Sequence, residues 1–357
     1  MIGGGCREPE RPPIVWVGDH VQVGTDLDID DWCPGTLPLL DSHAGRLREL
    51  FDVPADHVIN YYLYPTAVDQ HGCLEKSVAC FVPDEGVVTT DLFELHEIVH
   101  AVQLTYGGMP HFFAEGGASY WGWHPGGDIR GLDIREFLDK HWSTGLGERG
   151  YALAANFTAY LVHANGMEPY VALLKASDRN QTRASFEKAF EQAMGMTLDE
   201  AIADYDTLWA WKYCDGLATQ YWSHACAQPG LSIPPGTETY FDLDISCADP
   251  EVAGPSLRVS FDGIPTIWRD ITVEFSSENQ FFQFEAPMDG ESGTATVEIR
   301  PCTTDCTVAL TSTVRWSLGP DGEASFPSVI PGRSVIRVSR AADDPGPVRF
   351  RWYQPGS

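Results

Sequence analysis

Asp91-Leu92-Phe93-Glu94-Leu95-His96-Glu97-Ile98-Val99-His100-Ala101-Val102-Gln103-Leu104 is the stretch on which the reading of this chain turns. Leu92, Leu95, Val99 and Val102 recur at helical spacing, which predicts a mostly buried helix. Residues four apart on a helix lie one turn up the same face, roughly 6 Å along the axis. His96 and His100 are so spaced, and their imidazoles are placed to share one metal ion. Glu97 sits between them, within reach of a water on that metal. This is the H-E-x-x-H pattern, in which two histidines ligate zinc and the glutamate acts as general base. A buried helix carrying two histidines bonded to other groups would give the same five letters, so the surrounding sequence has to decide.

Charge and cysteine usage narrow the setting. The formal net charge is -28 over 357 residues. Such a surface repels nucleic acid and anionic membranes, which are set aside as partners. The nine cysteines include no C-x-x-C pair, which argues against a zinc ribbon or a thioredoxin-like site. Cys73/Cys80 and Cys302/Cys306 are spaced like short loop staples. This usage fits an oxidising, extracytoplasmic compartment. Cys6 follows Gly3-Gly4-Gly5 and precedes a polar, proline-rich run. The stretch resembles the start of a bacterial lipoprotein, with Cys6 as the lipidated residue and the single membrane attachment. No basic and apolar leader stands before it, so an ordinary cysteine is the alternative. The other eight cysteines allow four disulfides in any of 105 connectivities.

The helical stretch is preceded by expected strands at 14–17, 21–23, 58–64 and 86–90 and by a helix at 37–51. A loop carrying Cys73 and Cys80 is expected between the last two strands. Tyr106-Gly107-Gly108-Met109-Pro110 reads as a stop and turn. Helices follow at 134–142, 151–165, 168–176, 185–194 and 198–211. From about Gly230 the texture becomes alternating strands separated by Gly, Pro, Asp and Ser turns, at 240–245, 257–261, 271–275, 281–285, 295–299, 308–310, 335–338 and 348–352. The expected class is therefore α+β. A tether over 1–13 leads into a domain over 14–229 with a small mixed sheet and a helical half. A β-sandwich or jelly-roll-like domain is expected over 230–357.

Tetrahedral zinc with two histidines needs one more protein ligand. Glu115 lies in Phe113-Ala114-Glu115-Gly116-Gly117-Ala118-Ser119-Tyr120, with residues 101–114 between it and His100. Here the chain resembles the gluzincins, the His-His-Glu zinc peptidases related to aminopeptidase N and thermolysin. In the aminopeptidase N branch the third ligand stands in a Glu-Gly-x-Ala context, matched by Glu115-Gly116-Gly117-Ala118, although the spacer here is shorter. Tyr151 to Gly166 resembles the segment whose leading tyrosine stabilises the oxyanion, over the same interval. Ser185-Phe186-Glu187-Lys188-Ala189-Phe190 and Gly195 to Glu200 resemble the closing helices of these domains. The resemblance implies a zincin-like peptidase fold, Zn²⁺ held by His96, His100 and Glu115, Glu97 as base and Tyr151 as oxyanion donor. It implies a peptide or protein substrate, with an edge strand just before the metal helix receiving that substrate as an added strand. The Gly-x-Met-Glu-Asn segment that anchors a substrate amine in the aminopeptidases is absent from 60–95. Glu85 and Glu94 are acidic residues there without that context, so endo- and exopeptidase activity stay equally open. A non-catalytic surface protein, using a zincin scaffold and a β-rich binding module, is the reading from another class. His111 and His124 bracket the Glu115 helix, placed to contact substrate or the surroundings of the ligands, although a surface or satisfied histidine is the commoner case. Substrate preference and oligomeric state have no signature.

Overall fold

The computed structural model describes residues 11–353 apart from 55–57, 67, 69–70, 72, 74–76, 123–127, 143–144, 208–222, 233–237, 258–262, 276–280, 286–294, 304–313, 319–322 and 328–330. Cys6, Cys214 and Cys306, His124, and the strands expected at 308–310 and over most of 257–261 lie outside the described residues.

The chain begins with a hairpin, β1 (Ile14–Val17) and β2 (Val21–Thr25), turning at Gly18-Asp19-His20. Helix α1 (Thr36–Phe51) crosses to β3 (Ile59–Leu63), parallel to β2. The sheet is completed by β4 (Ala79–Val82) and β5 (Gly86–Thr89) in the order β1-β2-β3-β5-β4. β5 is parallel to β3 and antiparallel to β4. Ile59, Tyr61 and Leu63 alternate inward from β3 and meet Val87, Val99 and Val102 in one apolar core. Two expectations are corrected here. The strand just before the helix of His96 and His100 is interior rather than an edge. The edge is β4, in a segment expected to be a loop; pairing with β5 and the Cys73–Cys80 disulfide hold it extended.

The helical half follows: α2 (Leu95–Gln103), α3 (His111–Gly122), α4 (Ile134–His141), α5 (Glu148–Asn165), α6 (Met167–Ala176), α7 (Arg183–Met194), α8 (Leu198–Thr207) and the short α9 (Ser223–Ala227). Their ends carry recognisable stops. Gly195 closes α7 in the left-handed conformation. Thr197 and Glu200 then cap α8 reciprocally, Glu200 N–H to Thr197 Oγ1 at 3.2 Å and Thr197 N–H to Glu200 Oε2 at 2.8 Å. Tyr160 is fully buried and donates to Asp204 Oδ2 at 2.6 Å, a core role.

The C-terminal strands are β6 (Leu231–Ser232), β7 (Glu238–Ile245), β8 (Ala253–Ser256), β9 (Thr266–Phe275), β10 (Phe281–Glu285), β11 (Ala295–Pro301), β12 (Val314–Leu318), β13 (Glu323–Pro327), β14 (Gly332–Ala341) and β15 (Gly346–Tyr353). They form two open sheets, β13-β10-β15-β7 and β12-β11-β14-β9-β6, with β8 paired to β9. The expected β-sandwich or jelly roll is overturned, because neither sheet closes or curls. Among the described residues the fold is mixed α+β with three open sheets. β9 and β14 pair in unbroken register over ten residues, from Gly332↔Phe275 to Ala341↔Thr266. Curling a sheet calls for bulges or bends, and the register shift in this sheet lies outside that pairing, between β8 and β9.

The two halves are stitched together at the start of α1. Cys33 bonds to Cys247. Thr36 Oγ1 donates to the Gly254 carbonyl and accepts from its N–H, both at 3.0 Å. Trp268 of β9 and Ala253 of β8 join the apolar core of the helical half. Cys226 of α9 bonds to Cys302 at the end of β11, so Cys302 does not pair with Cys306 as its spacing promised. Among the described residues no helix is long and apolar enough to cross a membrane.

Candidate metal centre

The turn from β5 into α2 is held from the sheet. The Tyr61 hydroxyl on β3 donates to the Asp91 carbonyl at 2.7 Å and accepts from the Glu94 N–H at 3.0 Å. This fixes where α2 begins and which face it turns inward. The helix runs on into a single turn at Leu104–Tyr106, and Gly107 and Gly108 reverse the chain in positive-φ conformations open to glycine. Pro110 accepts from the N–H groups of Phe113 and Ala114 and starts α3.

Glycines then let α3 lie against both neighbours. A Cβ on Gly122 would stand 2.4 Å from His96 Cα, and one on Gly116 would stand 2.6 Å from the Ala154 carbonyl oxygen on α5. The Glu-Gly-Gly-Ala motif thus has a packing reason, and the short spacer still brings Glu115 opposite both histidines.

The result is a three-residue cluster able to chelate a metal ion. Glu115 Oε2 lies 3.0 Å from His96 Nε2 and 3.3 Å from His100 Nε2, and the two Nε2 atoms are 3.2 Å apart. Ligands on a tetrahedral ion at about 2.0–2.1 Å stand about 3.3–3.4 Å from one another, close to these separations. Two imidazoles and one carboxylate suit zinc better than the all-oxygen sets that magnesium and calcium take.

The electrostatics also favour a cation. Burial works against a charge on His100, yet Glu115, Glu97 and Glu94 together raise its pKa to about 9. Glu115 is buried too, and its contacts with His100 and His96 nevertheless hold it well below the usual carboxylate range. Glu97 behaves oppositely. Burial pushes it up to about 7, with Glu94 and Glu115 adding to the rise and His100 and the Phe81 main-chain N–H of β4 opposing it.

Tyr151, in the first turn of α5, packs edge-on to the His96 ring with centroids 6.1 Å apart. Burial, then the charges of Glu115 and Glu97, raise its pKa, so the phenol keeps its proton. The five residues expected at the site, His96, Glu97, His100, Glu115 and Tyr151, therefore meet at one place. Of the two acidic candidates upstream, Glu94 is buried beside Glu97, whereas Glu85 is exposed and paired with Arg11. Of two further contacts, the Phe81 N–H on Glu97 was not expected from sequence, whereas His111, one of the histidines bracketing the Glu115 helix, has its ring beside Glu115. The i,i+4 spacing of His111 and Glu115 was the available signal for the second.

No family model matches the chain, and no curated protein matches it. Partial likenesses exist among solved structures. TmCBM61 in complex with beta-1,4-galactotriose shares 13% identity over 33% of this chain and 69% of its own, at a TM-score of 0.19. An isomalto-dextranase of Arthrobacter globiformis complexed with panose shares 14% identity over 33% of this chain and 23% of its own, at 0.17. BtGH115A, a family GH115 4-O-methyl-alpha-glucuronidase, shares 9% identity over 72% of this chain and 38% of its own, also at 0.17. Likenesses this slight carry no argument about fold or function.

Proposed function

We propose that this chain is an extracytoplasmic zinc-dependent peptidase of gluzincin type. The observation that carries the reading is the convergence of His96 Nε2, His100 Nε2 and Glu115 Oε2 with Glu97 alongside on the same helix. Those three residues would hold zinc, which when bound would supply Lewis acidity and lower the pKa of a water toward neutral pH. Glu97, poised near 7 by its burial, accepts that water's proton and returns it to the leaving amine. The Phe81 N–H keeps the Glu97 carboxylate in place for both transfers. Tyr151 donates a hydrogen bond to the carbonyl oxygen as negative charge develops on it, a task that needs a phenol that stays protonated.

Substrate binding follows from the sheet. β4 is the outer strand on the site's side, and its Phe81 touches the catalytic carboxylate. An extended peptide adding to β4 brings its own main chain past Glu97. An extracytoplasmic location is supported by the disulfides Cys33–Cys247, Cys73–Cys80 and Cys226–Cys302.

Purified protein should hold about one zinc per chain. Chelation should abolish cleavage of a mixed peptide library and added zinc should restore it. Undiminished cleavage by the chelated protein, or zinc binding unaffected in His100→Ala, would overturn the reading.

A further inference from the structure

We propose that His111 is the positioning residue for Glu115, holding that carboxylate to one-oxygen attachment at the metal. The inference rests on the metal site argued above. Glu115 has two oxygens with different neighbours. Oε2 faces both His96 and His100, while Oε1 lies 3.3 Å from His111 Nδ1. His111 opens α3 and Glu115 follows one turn later, so both side chains project from one face of the helix.

The chemistry of the contact has one direction. A carboxylate only accepts, so the tautomer that serves Oε1 across this 3.3 Å contact is the one with its hydrogen on Nδ1. The other ring nitrogen, Nε2, is buried and has no hydrogen-bond partner among the described residues. The 3.3 Å contact with Glu115 Oε1 is thus the polar contact through which the ring acts on the carboxylate. A carboxylate beside a metal is otherwise able to turn about its last torsion, exchange oxygens or offer both at once. Occupying Oε1 removes those choices. Each of the three side chains would then offer one atom to a metal ion, the ligand count that catalytic zinc sites use.

The test compares His111→Phe, which keeps a ring and loses the donor, with His111→Asn, whose amide N–H₂ stands near the position of Nδ1. Zinc affinity is read by competition with a chromophoric chelator, and coordination is read from the visible absorption of the cobalt-substituted protein. Thermal unfolding of the metal-free proteins establishes that each variant is folded. His111→Phe should weaken zinc binding by about 10–100-fold and shift the cobalt spectrum away from the intense tetrahedral bands. His111→Asn should stay within about threefold of wild type and keep those bands, as donor replacement by an amide predicts. An unchanged affinity and spectrum in His111→Phe would overturn the proposal, and so would an equal loss in both variants, which would show that a donor at this position does not maintain the site. Failure of the metal reading itself shows separately, as wild-type protein that binds neither zinc nor cobalt.

Discussion

Gly122→Ala tests whether the crossing of α2 and α3 builds the metal centre. The added Cβ would lie 2.4 Å from His96 Cα, 2.5 Å from His96 N and 2.7 Å from the Leu95 carbonyl carbon. All three are backbone atoms, so no side chain can rotate out of the way. Carbon atoms in comfortable contact are about 3.5–4.0 Å apart, so the helices must part by about 1 Å at this point. Overpacking of this kind costs about 1–3 kcal/mol. The larger effect is expected at the metal, because His96 is itself the contact and Glu115 rides on the other helix. Ligand positions need to hold to about 0.2 Å, so a displacement of this size should weaken zinc binding by at least about tenfold, or about 1.4 kcal/mol. Gly145→Ala is the control, since nothing lies within 4 Å of a Cβ there. Thermal unfolding and zinc competition titration read the two terms separately. If Gly122→Ala matched Gly145→Ala in both, the crossing would not be what positions the ligands.

Tyr151→Phe should lower kcat by about 10²–10³-fold, the usual loss for an oxyanion donor, and leave zinc affinity unchanged; an undiminished kcat would remove Tyr151 from the mechanism. His43 predicts an acid limit to stability. It is buried in α1 with neither ring nitrogen bonded among the described residues, and burial, then the neighbouring His224, lower its pKa to about 3. Its neutral form is favoured in the fold, so its contribution is present above about pH 6.5 and is lost as pH falls from there toward 3. Between pH 7 and 5 the loss from this group is about 2 kcal/mol, measured as the difference in denaturant unfolding between wild type and His43→Leu at the two pH values. Equal pH dependence in the two proteins would refute it.

Much of this architecture was legible because helices advertise themselves by period. Leu95, Val99 and Val102 marked the face that α2 buries, and Glu115 stood in a motif whose glycines now have a packing reason at Ala154 and Gln103. Less legible was anything fixed by partners distant in sequence. Ala79 to Val82 is too short to announce itself as a strand, and its pairing with β5 makes it one. Cys302 had a near neighbour in Cys306, but the fold carries it to Cys226, 76 residues away. Alternation marked the C-terminal stretches as strands, although β9, β11 and β14 are buried along most of both faces. Alternation is the same whether a sheet closes or stays open, so the expected jelly roll had no support beyond texture. His111 was visible at i,i+4 from Glu115, yet such pairs are common on helix surfaces, and only the proximity to the ligand cluster gives this one meaning.

The most direct measurement of the central claim is peptide cleavage by Glu97→Gln with zinc content determined on the same sample. Glutamine keeps the shape of the side chain and its contact with Phe81, and it cannot accept the proton. The account predicts about one zinc per chain, as in wild type, with cleavage reduced by at least about 10²–10⁴-fold. Zinc-loaded Glu97→Gln protein that cleaves the same peptides at the wild-type rate would contradict it.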